Sequence, residues 1–263
     1  MASEERHTIL DVNALAIGYS HKSDTNKIAE GISFSLKQGS LVGLVGANGI
    51  GKSTLLRTLS GMQSPLDGSV LLQGKSFKSY SALGLAAQLS VVLTEAPASK
   101  NLTVQELISL GRQPYTNWMG RLSEIDIQVI NEAMEATDTF PLAQRKCFEL
   151  SDGQLQRVYI ARALAQDTPL ILLDEPTTHL DLYHRAYVLQ LLKRLTTEKN
   201  KCILFSTHEI DLAIQLSDLM VVMSKEGTYV DQPCNLISAG RFDTLFPKDV
   251  IRFDPDTGRF GSI

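Results

Sequence analysis

Long apolar runs are missing from this 263-residue chain. The longest, such as PLILLD and LVGLVG, have the length of a buried strand and stop well short of the ~18 residues that cross a bilayer, so no segment is expected to span a membrane. Cysteine is scarce: Cys147, Cys202 and Cys234 are odd in number, far apart, and without CxxC or Cys/His spacing. That excludes a disulfide-stapled module, offers no metal signature, suits a reducing compartment and marks all three thiols as inert. Charge of one sign is also lacking, with 25 Lys and Arg against 29 Asp and Glu, so no basic footprint points to nucleic acid. The opening MASEERHTIL has no apolar stretch with a cleavage site, and a cytosolic location is expected. At 43% hydrophobic and 21% charged residues, neither a disordered chain nor a fibre fits.

The chain has the length of one large or two small domains, with no internal repeat and no low-complexity segment. Thr8 to Tyr19 and Ile32 to Leu36 partly alternate apolar and polar residues around the polar HKSDTNK, which reads as two antiparallel strands and a loop. Ser40 to Val45 is a short apolar run into glycines, followed by a helical pattern at Ser53 to Leu59 and a strand around Val70 to Leu72. From about Ala82 to Ala165 the character is helical, with one strand candidate at Ser90 to Leu93. Capping boxes mark three helix starts there: Thr103 with Glu106, Ser123 with Asp126, and Ser151 with Gln154. Beyond lie a strand at Leu170 to Leu173, a helix at Leu182 to Glu198, a strand at Lys201 to Phe205, a helix at Glu209 to Leu216 and a strand at Leu219 to Met223. This alternation implies crossovers on a parallel sheet, hence an α/β fold with a helical insertion. After Gly227 a short strand precedes a Gly/Pro-interrupted tail.

Gly46-Ala47-Asn48-Gly49-Ile50-Gly51-Lys52-Ser53 matches GxxxxGK[ST] and lies between a strand and a helix, where that motif belongs; Thr54 continues the stretch. Glycines let backbone amides curl around an anion, and a helix N-terminus adds about half a positive charge. Lys52 is suited to reach the β- and γ-phosphates and the Ser53 hydroxyl to ligate Mg²⁺. LILLDE places Asp174 and Glu175 at the end of a buried strand, beside where a parallel sheet brings the phosphate loop. Adjacent acids need different tasks: Asp174 would hold Mg²⁺, directly or through water, and Glu175 would orient and deprotonate the attacking water.

With these two motifs comes LSDGQ, in which Ser151, Asp152, Gly153 and Gln154 precede LQRVYIARALA, and together they resemble the ATP-binding cassette ATPases over essentially the whole chain. The resemblance implies a P-loop NTPase core of mainly parallel sheet with an N-terminal antiparallel β subdomain (residues 1–81 and 166–225), a helical subdomain carrying the signature (82–165) and a C-terminal tail (226–263). It implies ATP and Mg²⁺, and a second copy whose signature closes over the γ-phosphate of the first. His208 in FSTHE corresponds to the family's switch histidine at the γ-phosphate, Asp181 in THLD to its dimer-contacting loop, and Tyr19 to the aromatic that stacks on adenine. Two positions depart from the pattern. Asp152 stands where glycine is usual and brings negative charge toward a docking phosphate. Thr94 stands where a metal-contacting glutamine is usual, with Glu95 beside it.

Within the family, LTVQELISLGRQPYTNWMGRLSEID and EPTTHLDLYHR look like the ATPase subunits of importers for iron chelates, haem and cobalamin. Such a subunit works as a homodimer, peripheral on the inner face of the cell membrane, beneath integral membrane permease subunits fed by an extracytoplasmic substrate-binding protein. Thr94 to Gln113 would form the groove for a permease helix, although Leu102, Val104, Leu107 and Ile108 fit equally well as core. A guanine-reading NKxD is lacking at Asn26 and Asn200. A soluble cassette ATPase and a low-turnover nucleotide switch remain as alternatives.

Overall fold

The computed structural model describes residues 7–21, 24–93, 101–246, 251–255 and 257–262. Its elements run β1 (Thr8–His21), β2 (Asp24–Lys37), β3 (Leu41–Gly46), α1 (Lys52–Leu59), β4 (Asp67–Leu72), β5 (Lys75–Ser76), α2 (Ala82–Ala86), β6 (Leu89–Val92) and α3 (Val104–Ser109). There follow α4 (Glu124–Ala136), α5 (Asp152–Ala165), β7 (Leu170–Leu173), α6 (Leu182–Glu198), β8 (Cys202–Ser206), α7 (Ile210–Leu216), β9 (Leu219–Ser224), β10 (Gly227–Asp231) and α8 (Pro233–Ser238). A last hairpin joins β11 (Ile251–Asp254) to β12 (Arg259–Ser262).

Strands β2-β1-β4-β5 form an antiparallel sheet, and β10-β9-β3-β8-β7-β6 a second sheet that is parallel except at β10. Successive side chains of a strand point to opposite faces, and the core obeys that period. Leu170, Leu172, Cys202 and Leu204 face the layer that holds α1 and the antiparallel sheet, whereas Ile171, Leu173, Ile203 and Phe205 face the layer of the longer helices. Both faces are therefore covered, which is why β3, β7 and β8 read as continuous apolar runs.

One sequence expectation is corrected. Asp24 to Lys27 of HKSDTNK belong to a strand and not to a loop, because the ribbon of β1 and β2 pairs Tyr19 with Asn26 and Gly18 with Lys27. Pairing of the two backbones overrides the polarity of side chains that point to water. The three capping boxes are present, at Thr103–Glu106, Ser123–Asp126 and Ser151–Gln154. Val104, Leu107 and Ile108 are buried in the core and Leu102 packs on it, so none of the first three is free to meet a partner. The helical layer is locked by Arg112, which is 5% exposed and donates from Nε to Asp126 Oδ1 (2.8 Å) and from Nη1 to the Ala165 carbonyl (2.9 Å). Hydrogen bonds from Ser123 hold the Asp126 carboxyl below the usual range, with Arg112 assisting.

In the tail, Phe242 stacks on Phe253 and Phe246 meets the edge of Phe260, which seats the last hairpin on the body of the protein. Burial pushes the Cys202 thiol up to about 12 and raises Cys147 as well, in keeping with inert thiols. Cys234 is exposed.

Candidate active site

All six residues of β3 are buried, so the strand is held on both faces up to the point where the chain leaves the sheet. The departure needs left-handed backbone: Gly51 caps α1 at φ +113°, and a Cβ there would lie 2.5 Å from Ile28 Cγ2. Only glycine fits. Asn48, Gly49 and Ile50 form the turn, closed by the Ile50 amide on the Ala47 carbonyl at 3.3 Å. Lys52 is the first residue of α1, is 5% exposed, and donates from Nζ to the carbonyls of Gly46 (2.9 Å) and Ala47 (3.4 Å). Burial lowers its pKa, opposed by the negative charges of Glu175 and Asp174. The ammonium is thus folded back on its own loop, desolvated and, among the described residues, without a bonded carboxylate, a state in which a phosphate is a better partner than a carbonyl.

Asp174 and Glu175 follow β7 directly. Ser53 Oγ donates to Asp174 Oδ1 at 3.2 Å, so the hydroxyl and carboxylate expected to share Mg²⁺ are already neighbours. Two oxygen donors from the protein, completed by phosphate oxygens and water, are the kind of site Mg²⁺ takes in phosphoryl-transfer enzymes, so the residues fit the ion. Glu175 has φ +49°, an uncommon left-handed conformation for a residue with a side chain. Its Oε2 accepts from Thr178 Oγ1 (3.1 Å) and its Oε1 meets His208 Nε2 at 2.7 Å. An ionised carboxylate only accepts, so the imidazole shares its Nε2 proton. Ser53 with Asp174, and Glu175 with His208, are thus joined by side-chain bonds through two adjacent acids, and Lys52 lies in the field of both acids.

Tyr19 is half-exposed near the end of β1, with its hydroxyl 3.2 Å from Thr54 Oγ1. Together with Arg57, Gln63 and Leu66 it lines a cavity of about 650 Å³, within the range that holds a small ligand. Thr94, the proposed replacement for a metal-contacting glutamine, lies outside the described residues.

The LSDGQ segment opens α5. Ser151 accepts from the Gln154 amide and Gln154 Oε1 accepts from the Ser151 amide, which leaves the amides of Asp152 and Gly153 as the helix's first-turn donors. Asp152 is exposed and borders a cavity of about 140 Å³ that Tyr159, Asp174 and Glu175 also line. Gly153 is buried against His184, whose ring would lie 2.5 Å from an added Cβ. His184 is in turn held by Asp181, the N-cap of α6, which accepts from its amide and its Nδ1 at 2.8 Å. These bonds from His184 keep the Asp181 carboxyl below its usual range. The LSDGQ segment and the loop after Glu175 are therefore linked within one chain by an imidazole. We expect Gly153→Ala to break the His184–Asp181 pair at a cost of about 1 kcal/mol, lowering the melting temperature by about 2–4 °C. Calorimetry of the same change in a His184→Ala background should show little further loss.

Sequence reasoning missed Ser206, Thr178 and His184. For Ser206 a signal existed: it is a lone hydroxyl closing the apolar run CILF in a strand with no exposed residue.

A family model described as "ABC transporter" matches residues 29–178. The chain is 37% identical to the achromobactin transport ATP-binding protein CbrD of Dickeya dadantii, over 95% of this chain and 91% of that one. It is 40% identical to the iron(3+)-hydroxamate import ATP-binding protein FhuC of Bacillus subtilis, covering 85% and 81%. Among solved structures it is similar to cbiO1 of Clostridium perfringens, part of the ABC transporter complex cbiONQ, with a TM-score of 0.75 and 27% identity over 90% of this chain and 95% of that one.

Proposed function

This chain belongs to the ABC transporter family as one of its ATPase subunits, and from that premise we propose that it drives import of an iron chelate, haem or cobalamin. The observation that carries the catalytic part is the linked group in which Ser53 bonds Asp174, Glu175 bonds His208, and Lys52 lies in the field of both acids. The substrate class is supported by the relatives, one named for achromobactin transport and one for iron(3+)-hydroxamate import.

In this reading the adenine of ATP stacks on Tyr19, and the amides from Gly46 to Thr54 enclose the phosphates. Lys52 turns from its loop carbonyls to the β- and γ-phosphate oxygens. Ser53 and Asp174 would hold Mg²⁺, which when bound would supply positive charge beside those oxygens. Glu175 takes a proton from the water that attacks the γ-phosphorus while the bond to the β–γ bridging oxygen breaks, giving ADP and phosphate. Bonds from Thr178 and His208 fix the carboxylate that does this.

The first-turn amides of Asp152 and Gly153, with Ser151 and Gln154, meet the γ-phosphate of a second copy, and Asp181 lies at the contact between copies. Closure of that homodimer would move permease subunits seated on the helical layer, which receive substrate from an extracytoplasmic binding protein. No helix among the described residues is long and apolar enough to cross a membrane, so a peripheral place on the inner face of the cell membrane suits the chain. The test is uptake of a labelled ferric siderophore by a strain lacking this chain, with co-purification of a multi-span permease from the complemented strain. Unchanged uptake of iron chelates, haem and cobalamin, with no permease recovered, would refute the transport reading.

Asp152 yields a further expectation. Its carboxylate lies at the helix end where a phosphate is to dock, so Asp152→Gly should tighten ATP-dependent dimerisation although it forfeits about 0.3–1 kcal/mol of favourable helix-dipole interaction. Sedimentation of the two proteins across an ATP titration reads this. An unaltered ATP dependence would show that the charge points away.

A further inference from the structure

We propose that Ser206 is a positioning residue for catalysis, one hydroxyl that sets both the metal-binding carboxylate and the backbone of the general base. The proposal rests on the roles given above to Asp174 and Glu175.

The sheet order places β8 between β3, which carries the phosphate loop, and β7, which carries the acids. Registers pair Leu44 with Ser206 and Leu173 with Phe205, so Ser206 is level with Asp174 across the β7–β8 seam. Strand alternation then sends Ser206 to the face shared by Cys202 and Leu204, and Asp174 to the face shared by Leu170 and Leu172. That is one and the same face, the side of α1 and Ser53.

Ser206 is fully buried. A hydroxyl has one proton to give and lone pairs to accept with, and here both capacities are used. Ser206 Oγ donates to Asp174 Oδ1 at 2.7 Å and accepts from the Glu175 amide at 2.8 Å. The first bond is to the same carboxylate oxygen that receives Ser53 Oγ, so Asp174 Oδ1 is held from the sheet on one side and from the phosphate loop on the other. The second bond anchors the residue whose left-handed backbone carries the base. Without the hydroxyl, the Glu175 amide loses its acceptor at a left-handed backbone position, and Asp174 Oδ1 loses the shorter of its bonds to the Ser53 and Ser206 hydroxyls.

The experiment compares Ser206→Thr with Ser206→Val, which have nearly the same shape and differ in the hydroxyl. Ser206→Thr should keep kcat within about threefold of the parent, and Ser206→Val should lose about tenfold to a hundredfold, as expected for removing hydrogen bonds at a charged group. KM for MgATP should stay within about threefold of the parent in Ser206→Thr and rise in Ser206→Val in step with weaker Mg²⁺-dependent binding. A readout independent of turnover is equilibrium binding of ATP with and without Mg²⁺. Affinity without metal should match the parent, and the gain on adding Mg²⁺ should fall by about fivefold or more in Ser206→Val only.

Equal kcat and equal Mg²⁺ dependence in the two variants would overturn the proposal, as would equal losses in both. Should Ser206→Val fail to fold, Ser206→Ala, judged against Ser206→Thr by the same two measurements, takes its place. Glu175→Gln, assayed alongside, separates the two ideas. If it keeps full turnover, the assignment of the base has failed; if it loses turnover while Ser206→Val behaves as Ser206→Thr, only the role of Ser206 has.

Discussion

Glu175→Gln should bind MgATP as the parent does and turn it over about 10²–10⁴ times more slowly, because the amide cannot take the proton of the attacking water. Shape is conserved, and one of the two side-chain bonds survives in weakened form, because the single amide oxygen can still accept from Thr178 or from His208. Binding and chemistry therefore separate, and the ATP-bound homodimer proposed above should accumulate, since hydrolysis is what reopens it. Steady-state hydrolysis and sedimentation with and without MgATP read the two halves. Unchanged turnover would transfer the base to another group and remove the reason for the strained backbone at Glu175.

Lys52→Met is expected to move function and stability in opposite directions. Loss of the ammonium removes charge-assisted bonds to the phosphates, and nucleotide affinity should drop by at least about a hundredfold, read by equilibrium binding. Yet the nucleotide-free protein should melt about 2–4 °C higher, because a desolvated cation is replaced by an apolar chain of similar length in a site with 5% exposure. The sign of the pH dependence follows from the shift. The folded pKa of Lys52 lies below the ordinary value of 10.5, so between the two the unfolded chain holds more protons and stability of the parent rises with pH. The advantage of Lys52→Met should accordingly be constant at pH values below the folded pKa of the lysine and shrink as rising pH removes its charge. A destabilised Lys52→Met protein would mean that the bond to the Gly46 carbonyl outweighs desolvation, and that the loop is held by its lysine rather than strained by it.

Such a division, where the residue that serves the ligand costs the empty protein, has its counterpart at Glu175, at φ +49° beside the site, and at Gly51, where only glycine fits. Strain collects where the chain leaves a strand, since there the backbone bonds of the sheet stop and side chains take over.

Most of the architecture was legible before any coordinates because it depends on local chemistry. Leu182–Glu198 is a helix over the span its pattern indicates, and the boxes at Thr103, Ser123 and Ser151 cap their helices because the partners lie three residues apart in the same chain. Where local polarity competed with pairing, as in the ribbon of β1 and β2, pairing prevailed, because backbone bonds between neighbouring strands do not depend on side-chain polarity. Glycines at fixed offsets from a lysine, and two acids after an apolar run, were readable for the same reason, since the chemistry that phosphate requires is written in consecutive residues. What consecutive residues cannot carry is which side chains of distant strands meet. Ser206 stands 32 residues from Asp174, and their 2.7 Å bond exists because β8 lies between β3 and β7 in a parallel register. His184 against Gly153 is of the same kind, a helix packed on a helix start. The amino-acid sequence by itself determined which groups are available to hold a phosphate and a metal; only the tertiary structure decided how those groups are aimed, because aim is set by strand order and register, and these are properties of the whole sheet.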